Sequence, residues 1–528
     1  MSYPPSGIRS DAFERTKTYV VYGLMMAVAL AALEATVVGT VAPTIAGELG
    51  GLRLFSWVFS IYLLTSTVTV PIYGKLADLY GRKPVIVFGV SLFLIGSMLC
   101  GLAQSMEMLI GTRAIQGLGA GAVLPIAITI IGDLFTIEER ARIQGLFSGV
   151  WGVAGIAGPA AGGLITDNLG WPFAFFINVP FGLLSLALIL RFYAEQVEKK
   201  PHTLDYLGAL LLSGSIVALL MALLQGVGSF GWTGVETLAM FGTSAVLLGL
   251  FVRQELRAPE PVIPLSLFRN RVILVSSLAV FVAGGLMFGV SSYVPLFEQG
   301  VFGGSATRAG LVLAPMSLAW VISAIVSGKL IIRVGYYPAA LTGGISLFAG
   351  SLLLLGLTAD TTILIAVGAG LILGVGMGST TNSTLIAVQN AVAWNQRGVA
   401  TASTQFFRTI GGAIGVAIMG AILTSAMTSR LAAIPGVPEG ASADNLLTSG
   451  ERAKLPAGVL DAMQRALAGS LHEIFYVVVL AAVAAFAIVL FFPRGRAQDM
   501  VKASPDEGAT TPAGAGRERP AFGASEGS

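Results

Sequence analysis

The sequence predicts an all-α integral membrane protein, on its composition, the length of its apolar runs and the lack of alternation within them. Of its 528 residues, 55% are hydrophobic and 11% are charged, whereas a soluble domain carries about 25% charged residues. A mean hydropathy of +0.82 leaves too little polar surface to cover a globule in water; a bilayer removes that need. The runs are continuously apolar rather than alternating, which favours spanning helices over a barrel.

A helix that crosses the hydrocarbon needs roughly 20 apolar residues. Fourteen segments meet this condition: 19–45, 55–73, 85–102, 108–131, 143–165, 173–192, 206–226, 236–252, 272–297, 309–331, 338–357, 362–388, 399–425 and 472–492. With the N-terminus placed in the cytoplasm, 23 of the 31 Lys and Arg fall inside and six outside, while Arg113 and Arg408 lie at membrane depth. This bias predicts a multi-pass protein of the cytoplasmic membrane with both termini inside. The longest outer segment, 426–471, contains a helical stretch near Val459–Leu467, either a shield over the outer mouth or an inert connector. The tail 493–528 is rich in Pro, Gly, Ala, Ser and charge and reads as disordered. No cleavable signal peptide is expected.

Several function classes are disfavoured. A net charge of +3 gives no nucleic-acid footprint. His202 and His472 are the two histidines and Cys100 the one cysteine, so neither a metal site, an intramolecular disulfide nor any other cofactor is expected. Both Gly-Lys pairs precede Leu, so there is no phosphate-binding GxxxxGK[ST] loop and no direct use of ATP is expected.

The chain nearly repeats itself. Gly74-Lys75-Leu76 with Gly81 and Pro84 recurs as Gly328-Lys329-Leu330 with Gly335 and Pro338, at a shift of 254. Gly117, Gly119 and Gly121 recur as Gly374, Gly376 and Gly378, and Arg140 as Arg397, at a shift of 257. The expected plan is a cytoplasmic N-tail (1–18), a six-helix bundle (19–192), two linker helices (193–271) and a second six-helix bundle (272–492). Parallel repeats of this kind place a substrate site between the halves near the midplane.

Four motifs carry chemistry. The turn Gly74–Pro84 reads GKLADLYGRKP: Gly74 and Gly81 permit close backbone approach, and Asp78 is expected to face Arg82 and Lys83. Asp133 and Arg140 flank the next turn on the same side and are expected to join this network; a solvated charged surface is the alternative. The segment 109–121 reads LIGTRAIQGLGAG, with Arg113, Gln116, Gly117 and Gly121 on one helix face. An arginine at this depth needs a polar cavity or a partner; snorkelling to the outer surface is the alternative. In the fifth span Gly145, Gly149, Gly152, Gly155, Gly158 and Gly162 recur every three or four residues, with Gly163 adjacent and Pro159 able to bend the helix. Glu34 is the one charge of the first span and sits near its middle. Hydrocarbon penalises its ionised form, so it reads as a proton carrier, or else as a structural hydrogen-bonding group. Arg408, with Gln405 and Gly412, forms a polar face that either lines a cavity or locks helix packing.

These motifs resemble those of the major facilitator superfamily. GKLADLYGRKP is similar to its signature loop, and the Arg113 segment to its fourth-helix motif, whose arginine the family implicates in proton coupling. GPxxGG, with Gly158, Pro159, Gly162 and Gly163 after Gly155, resembles the motif typical of the family's antiporters. Leu33–Ile45 and Trp171–Gly182 resemble the first-helix and sixth-helix motifs of the fourteen-span drug:proton antiporters, many of which have Asp where Glu34 stands. The resemblance covers about 19–492. It implies a secondary transporter, not an enzyme, that moves small lipophilic or cationic compounds out and protons in by alternating access, and confers antibiotic resistance. The expected partners are a small-molecule substrate, protons and membrane lipid; a periplasmic partner is left open. An importer of a small polar metabolite is the rival reading, disfavoured by the Pro159 motif and the fourteen spans. A membrane enzyme or a receptor is less favoured still, for want of a nucleophile–base set or a sensor domain.

Overall fold

The computed structural model describes residues 11–135, 137–195, 205–225, 231, 233–259, 261–392, 396–435, 443–492 and 494. The tail 493–528 and residues 436–442 of the outer segment therefore lie largely outside the described residues. Among those described, fourteen helices are long and apolar enough to cross a bilayer.

The first half comprises α1 (Asp11–Leu49), α2 (Phe55–Tyr80), α3 (Arg82–Gly101), α4 (Met106–Leu134), α5 (Ile137–Leu169), α6 (Pro172–Phe176) and α7 (Asn178–Phe192). Short α6 and α7 together make the sixth span. Next come α8 (Tyr206–Gln225) and α9 (Val235–Glu255), then the second half: α10 (Arg271–Gly300), α11 (Ala306–Val334), α12 (Tyr336–Leu354), α13 (Leu364–Asn390), α14 (Arg397–Ala432), the single-turn α15 (Ser449–Arg452) and α16 (Ala457–Leu490). Two six-span bundles thus flank α8 and α9, which pack on each other and, through α8, on α2 and α14. Apolar side chains cover α9 outward, as a lipid-facing helix requires.

The sequence repeat becomes a repeat of contacts. Gly81 and Gly335 both adopt positive φ, 102° and 95°, at the turns joining α2 to α3 and α11 to α12; only glycine takes that conformation without strain. In α4, Gly117 and Gly121 admit the backbone of α2, and Gly119 that of α3. In α13, Gly374 and Gly378 admit α11, and Gly376 admits α12. Each glycine lies where a side chain would hold two helices apart.

The ends of the molecule differ. At the end opposite the Gly81 and Gly335 turns, one apolar core runs through both halves and joins Val41, Ile45, Phe55 and Phe175 to Leu286, Tyr293, Phe297 and Phe475. Toward the turn end the described residues form further clusters. One gathers Leu24, Ile86, Ile126 and Phe147 of the first half and reaches Ala413 of α14; another gathers Val275, Ile331, Tyr336 and Val489 of the second half. Among the described residues, the broadest core shared by the two halves lies at the end opposite the turns.

Several helices outrun their apolar segments. The fifth span, expected over 143–165, belongs to a helix that starts at Ile137, and the thirteenth, expected over 399–425, to one that ends at Ala432. The stretch Val459–Leu467 is not a separate helix within 426–471. It is the first part of α16, which continues without a break into the last span. Polar residues such as Gln464 and Arg465 mask this continuity in a reading by hydropathy.

Candidate functional site

Four helices of the first half converge on Glu34. Its carboxylate forms an ion pair with Arg113 of α4, and both side chains are almost wholly buried. Glu34 Oε2 accepts from Gln116 Nε2 at 2.9 Å and from Asn178 Nδ2 of α7 at 3.0 Å. Asn178 also donates to Ser97 Oγ of α3 at 3.0 Å. Arg113 Nε donates to the Val58 carbonyl of α2 at 3.1 Å, and Nη1 to Gln116 Oε1 at 2.7 Å. The guanidinium lies over the Tyr62 ring, 4.2 Å from its centroid, an additional stabilisation of a desolvated cation. One helical turn brings Arg113 and Gln116 to the same carboxylate. Burying two charges costs several kcal/mol each, about offset only when geometry and further hydrogen bonds are good; here three donors hold one carboxylate. Arg113 does not snorkel: the pair binds it inside the bundle.

In the sequence Glu34 and Arg113 stand out separately, each without a named partner, and Asn178, Ser97 and Tyr62 do not stand out as site residues. Asn178 and Ser97 were visible only as isolated polar residues in apolar runs, and their convergence depends on how α3 and α7 pack.

The glycine motif of α5 serves two helices. A methyl group at Gly158 would meet Thr36 Oγ1, and one at Gly162 would come within 2.9 Å of Val37, both on α1. On the other side α5 meets α11 across the halves. A methyl at Gly163 would lie 2.4 Å from the Thr307 Cα, at Gly155 3.3 Å from Ser317, and at Gly152 3.4 Å from Val321; at Gly149 it would meet nothing within 4 Å. Gly310 of α11 abuts the Pro159 carbonyl. The close contact between α5 and α11 therefore stops short of Gly149.

At the turn end, Arg82 pairs with Asp133 at 3.1 Å. Lys83 Nζ donates to the carbonyls of Leu190, at 3.0 Å, and Tyr193, at 2.6 Å. Glu195, absent from the sequence reading, accepts from the Arg82 and Lys83 backbone N–H groups. It thereby satisfies the open N-terminus of α3. Burial pushes the neighbouring Tyr193 phenol above its usual range. The side chains of Asp78 and Arg140 lie outside the described residues. Gly74 has open space where a side chain would stand.

At the opposite end polar contacts tie the halves. Gln299 of α10 accepts from Thr44 Oγ1 at 2.8 Å and donates to the Thr40 carbonyl at 2.8 Å. Asp167 of α5 accepts from the Ala306 and Thr307 N–H groups, at 3.1 and 2.9 Å, capping α11. Glu298, a buried acid the sequence reading passed over, pairs with Arg308 at 2.7 Å. The 443–452 segment spans this end: Asp444 accepts from the Leu52 N–H at 2.7 Å, and Arg452 points at the terminal carbonyls of α10. Burial lowers the pKa of the Arg452 guanidinium.

Arg408 and Gln405 sit on α14, away from the Glu34 site. Arg408 is half-buried and Gln405 exposed; among the described residues Arg408 Nε has no hydrogen-bond partner.

Two pseudo-equivalent helical halves that share a core at one end, with a buried ion pair inside the first, fit a membrane transporter for small molecules. The sequence profile of the Major Facilitator Superfamily matches residues 24–416, and the chain belongs to that family. It is 39% identical over 409 residues to a multidrug transporter protein, MdtP, of Bacillus subtilis, covering 78% of this chain and 76% of the relative. It is 35% identical over 497 residues to multidrug resistance protein 3 of the same organism, covering 92% and 97%. Among solved structures it resembles a bacterial homologue of the human lysosomal transporter Spinster in an inward-facing, unoccupied conformation. That match has a TM-score of 0.65 and 17% identity and covers 92% of this chain and 98% of the other; it speaks to the fold.

Proposed function

We propose that the protein is a proton-coupled antiporter that exports small lipophilic compounds across the cytoplasmic membrane, with the turn end in the cytoplasm. The observation that carries this reading is the Glu34–Arg113 pair, a protonatable group held at membrane depth by partners from other helices. A proton on Glu34 removes the charge that Arg113 holds, and its release restores the pair. Proton occupancy thereby becomes a change in helix–helix contacts, which biases the equilibrium between open states. The halves share their broadest core at the end opposite the turns while the carboxylate is paired, which supports a state open toward the cytoplasm after proton release and before substrate loading. Asp78 and Arg140 are assigned to the cytoplasmic gating network with Arg82, Lys83 and Asp133, and Gly155, Gly158, Pro159, Gly162 and Gly163 to the surface on which the halves rock. The names of the two Bacillus relatives support a drug-like substrate.

The test is substrate movement in proteoliposomes under an imposed pH gradient. Glu34→Gln is expected to abolish uphill transport, because an amide releases no proton, while Glu34→Asp keeps part of it. Full gradient-driven accumulation by correctly inserted Glu34→Gln would remove Glu34 from the coupling mechanism.

A further inference from the structure

The net charge of the membrane-depth interior follows from its partners. Glu34 and Arg113 neutralise each other, and the remaining donors at Glu34 are uncharged amides. Glu34, 2% exposed, offers no free negative charge to a ligand in this conformation.

Arg408 is different. On α14, Gln405, Arg408 and Gly412 share one face by helical spacing, and neighbouring helices cover the other faces. Gly411 and Gly415 abut the backbone of α10 at Phe281 and Gly285. The Ala413 carbonyl accepts from Ser60 of α2 at 3.1 Å. Ile410 and Ile414 join the apolar cluster of Leu212 and Ile216 on α8. What is left is the strip between α10 and α2, the two helices that bring the second half and the first to α14. On this strip Gln405 is exposed and Arg408 half-buried, while the Arg408 backbone lies against Gly284 of α10. Arg408 lies 11 residues into α14, roughly 16 Å along its axis from the turn end. Phe288 packs beside Gly412, one turn further on. Among the described residues, no carboxylate lies within ion-pairing distance of the Arg408 guanidinium, and its buried Nε has no acceptor.

An arginine at this depth without a counter-charge is costly, and an anionic ligand supplies the missing acceptor. A guanidinium fork fits a carboxylate with two parallel hydrogen bonds, the amide of Gln405 adds a donor, and the Phe288 ring offers an apolar surface. A permanent cation meets repulsion from Arg408 and finds no free carboxylate to offset it. We propose that Arg408 recognises the anionic group of the substrate, and that the exported compounds are amphipathic acids or ionised phenols rather than permanent cations. This rests on the exporter reading above and narrows its substrate class.

The test uses two dyes with one ring system and opposite charge, fluorescein and rhodamine 6G, binding to the full chain in lipid nanodiscs. The wild type is expected to bind fluorescein about tenfold or more tightly than rhodamine 6G, the scale of one charge-assisted hydrogen bond. Arg408→Gln should remove that preference by weakening fluorescein alone, and Arg408→Lys should keep part of it. Tighter rhodamine binding by the wild type, unchanged fluorescein binding by Arg408→Gln, or failure of both dyes to bind would each overturn the assignment. Equal weakening of both dyes would mark Arg408 as a packing residue and overturn it too. Glu34-dependent, gradient-driven transport is measured alongside in proteoliposomes. If it persists, the exporter reading survives the loss of the anion assignment; if the wild type shows none for any compound, the exporter reading itself fails.

Discussion

At the residue scale, the Glu34–Arg113 pair joins stability to the proposed proton coupling, and its energetics are separable from transport. Removing one member of a buried pair leaves the other charged and unsatisfied, at a cost of about 3–5 kcal/mol, whereas replacing both with neutral groups costs far less. Glu34→Gln and Arg113→Gln are therefore each expected to destabilise the folded protein in detergent more than the double variant does. Additive losses in a thermal or denaturant unfolding series would show that the two charges are not coupled. Part of this site was legible in the sequence, because a lone acid or arginine in an apolar run is conspicuous: hydrocarbon tolerates neither without a reason. The partnership was not legible. Glu34 and Arg113 lie 79 residues apart, and helical periodicity assigns each to a face of its own helix without saying which faces meet. Asn178 was harder still, since a neutral amide in an apolar run carries no such penalty signal. Glu298 escaped because it stands two residues from the end of α10, where an acid reads as solvated although its side chain is buried.

At the scale of elements, α5 and α11 form a close contact between the halves, and the proposed rocking assigns it the control of their approach. It is tightest at Gly163 and Gly310, where helix backbones touch, and opens beyond Gly152. A branched side chain at Gly310 meets the Pro159 carbonyl, which cannot move aside as a flexible side chain could. Overpacking of this kind costs about 1–3 kcal/mol, enough to shift a two-state population by about tenfold or more. Gly310→Val is expected to disfavour closure at this end and to expose the Thr44–Gln299 contact. In a Cys100→Ser background, a Thr44→Cys reporter should react with a water-soluble maleimide about tenfold faster when Gly310→Val is present. Equal reactivity would show that the α5–α11 contact does not set the closed state. The glycine spacing in the sequence pointed to close packing. It did not show that the stripe serves α1 on one side and α11 on the other, because small residues permit an approach without naming the partner.

At the scale of the molecule, the two halves share a fold and divide the chemistry. Their common ancestry of contacts was legible in the repeated glycines, since each marks a backbone crossing that either half must make. The division of labour was legible only in part: Arg113 falls on Gly370 at the shift of 257, so the charged site has no counterpart in the second half. What hydropathy left open was the role of the segment 426–471, because its polar residues suit equally a solvated connector and a docked strap. The structure docks it. Asp444 holds the first half at Leu52, Arg452 holds α10 of the second, and Gly47 of α1 packs against Leu447. If the halves part at this end during transport, the segment must leave one of them. Its chain runs between α14 and α16 of the second half, so it is expected to leave the first, and a covalent tie between Gly47 and Leu447 then stops the cycle. A Cβ at Gly47 stands 2.8 Å from that of Leu447, and a disulfide needs about 3.5–4.5 Å, so a shift of roughly an ångström suffices. With Cys100→Ser, the Gly47→Cys/Leu447→Cys protein is expected to transport when reduced, to lose at least about nine-tenths of its activity on oxidation as one state is removed from the exchange, and to recover with dithiothreitol. Each single-cysteine variant should be indifferent to oxidant. Undiminished transport by the oxidised pair, with the cross-link verified by mass spectrometry, would show that the segment travels with the first half and does not bridge the moving parts.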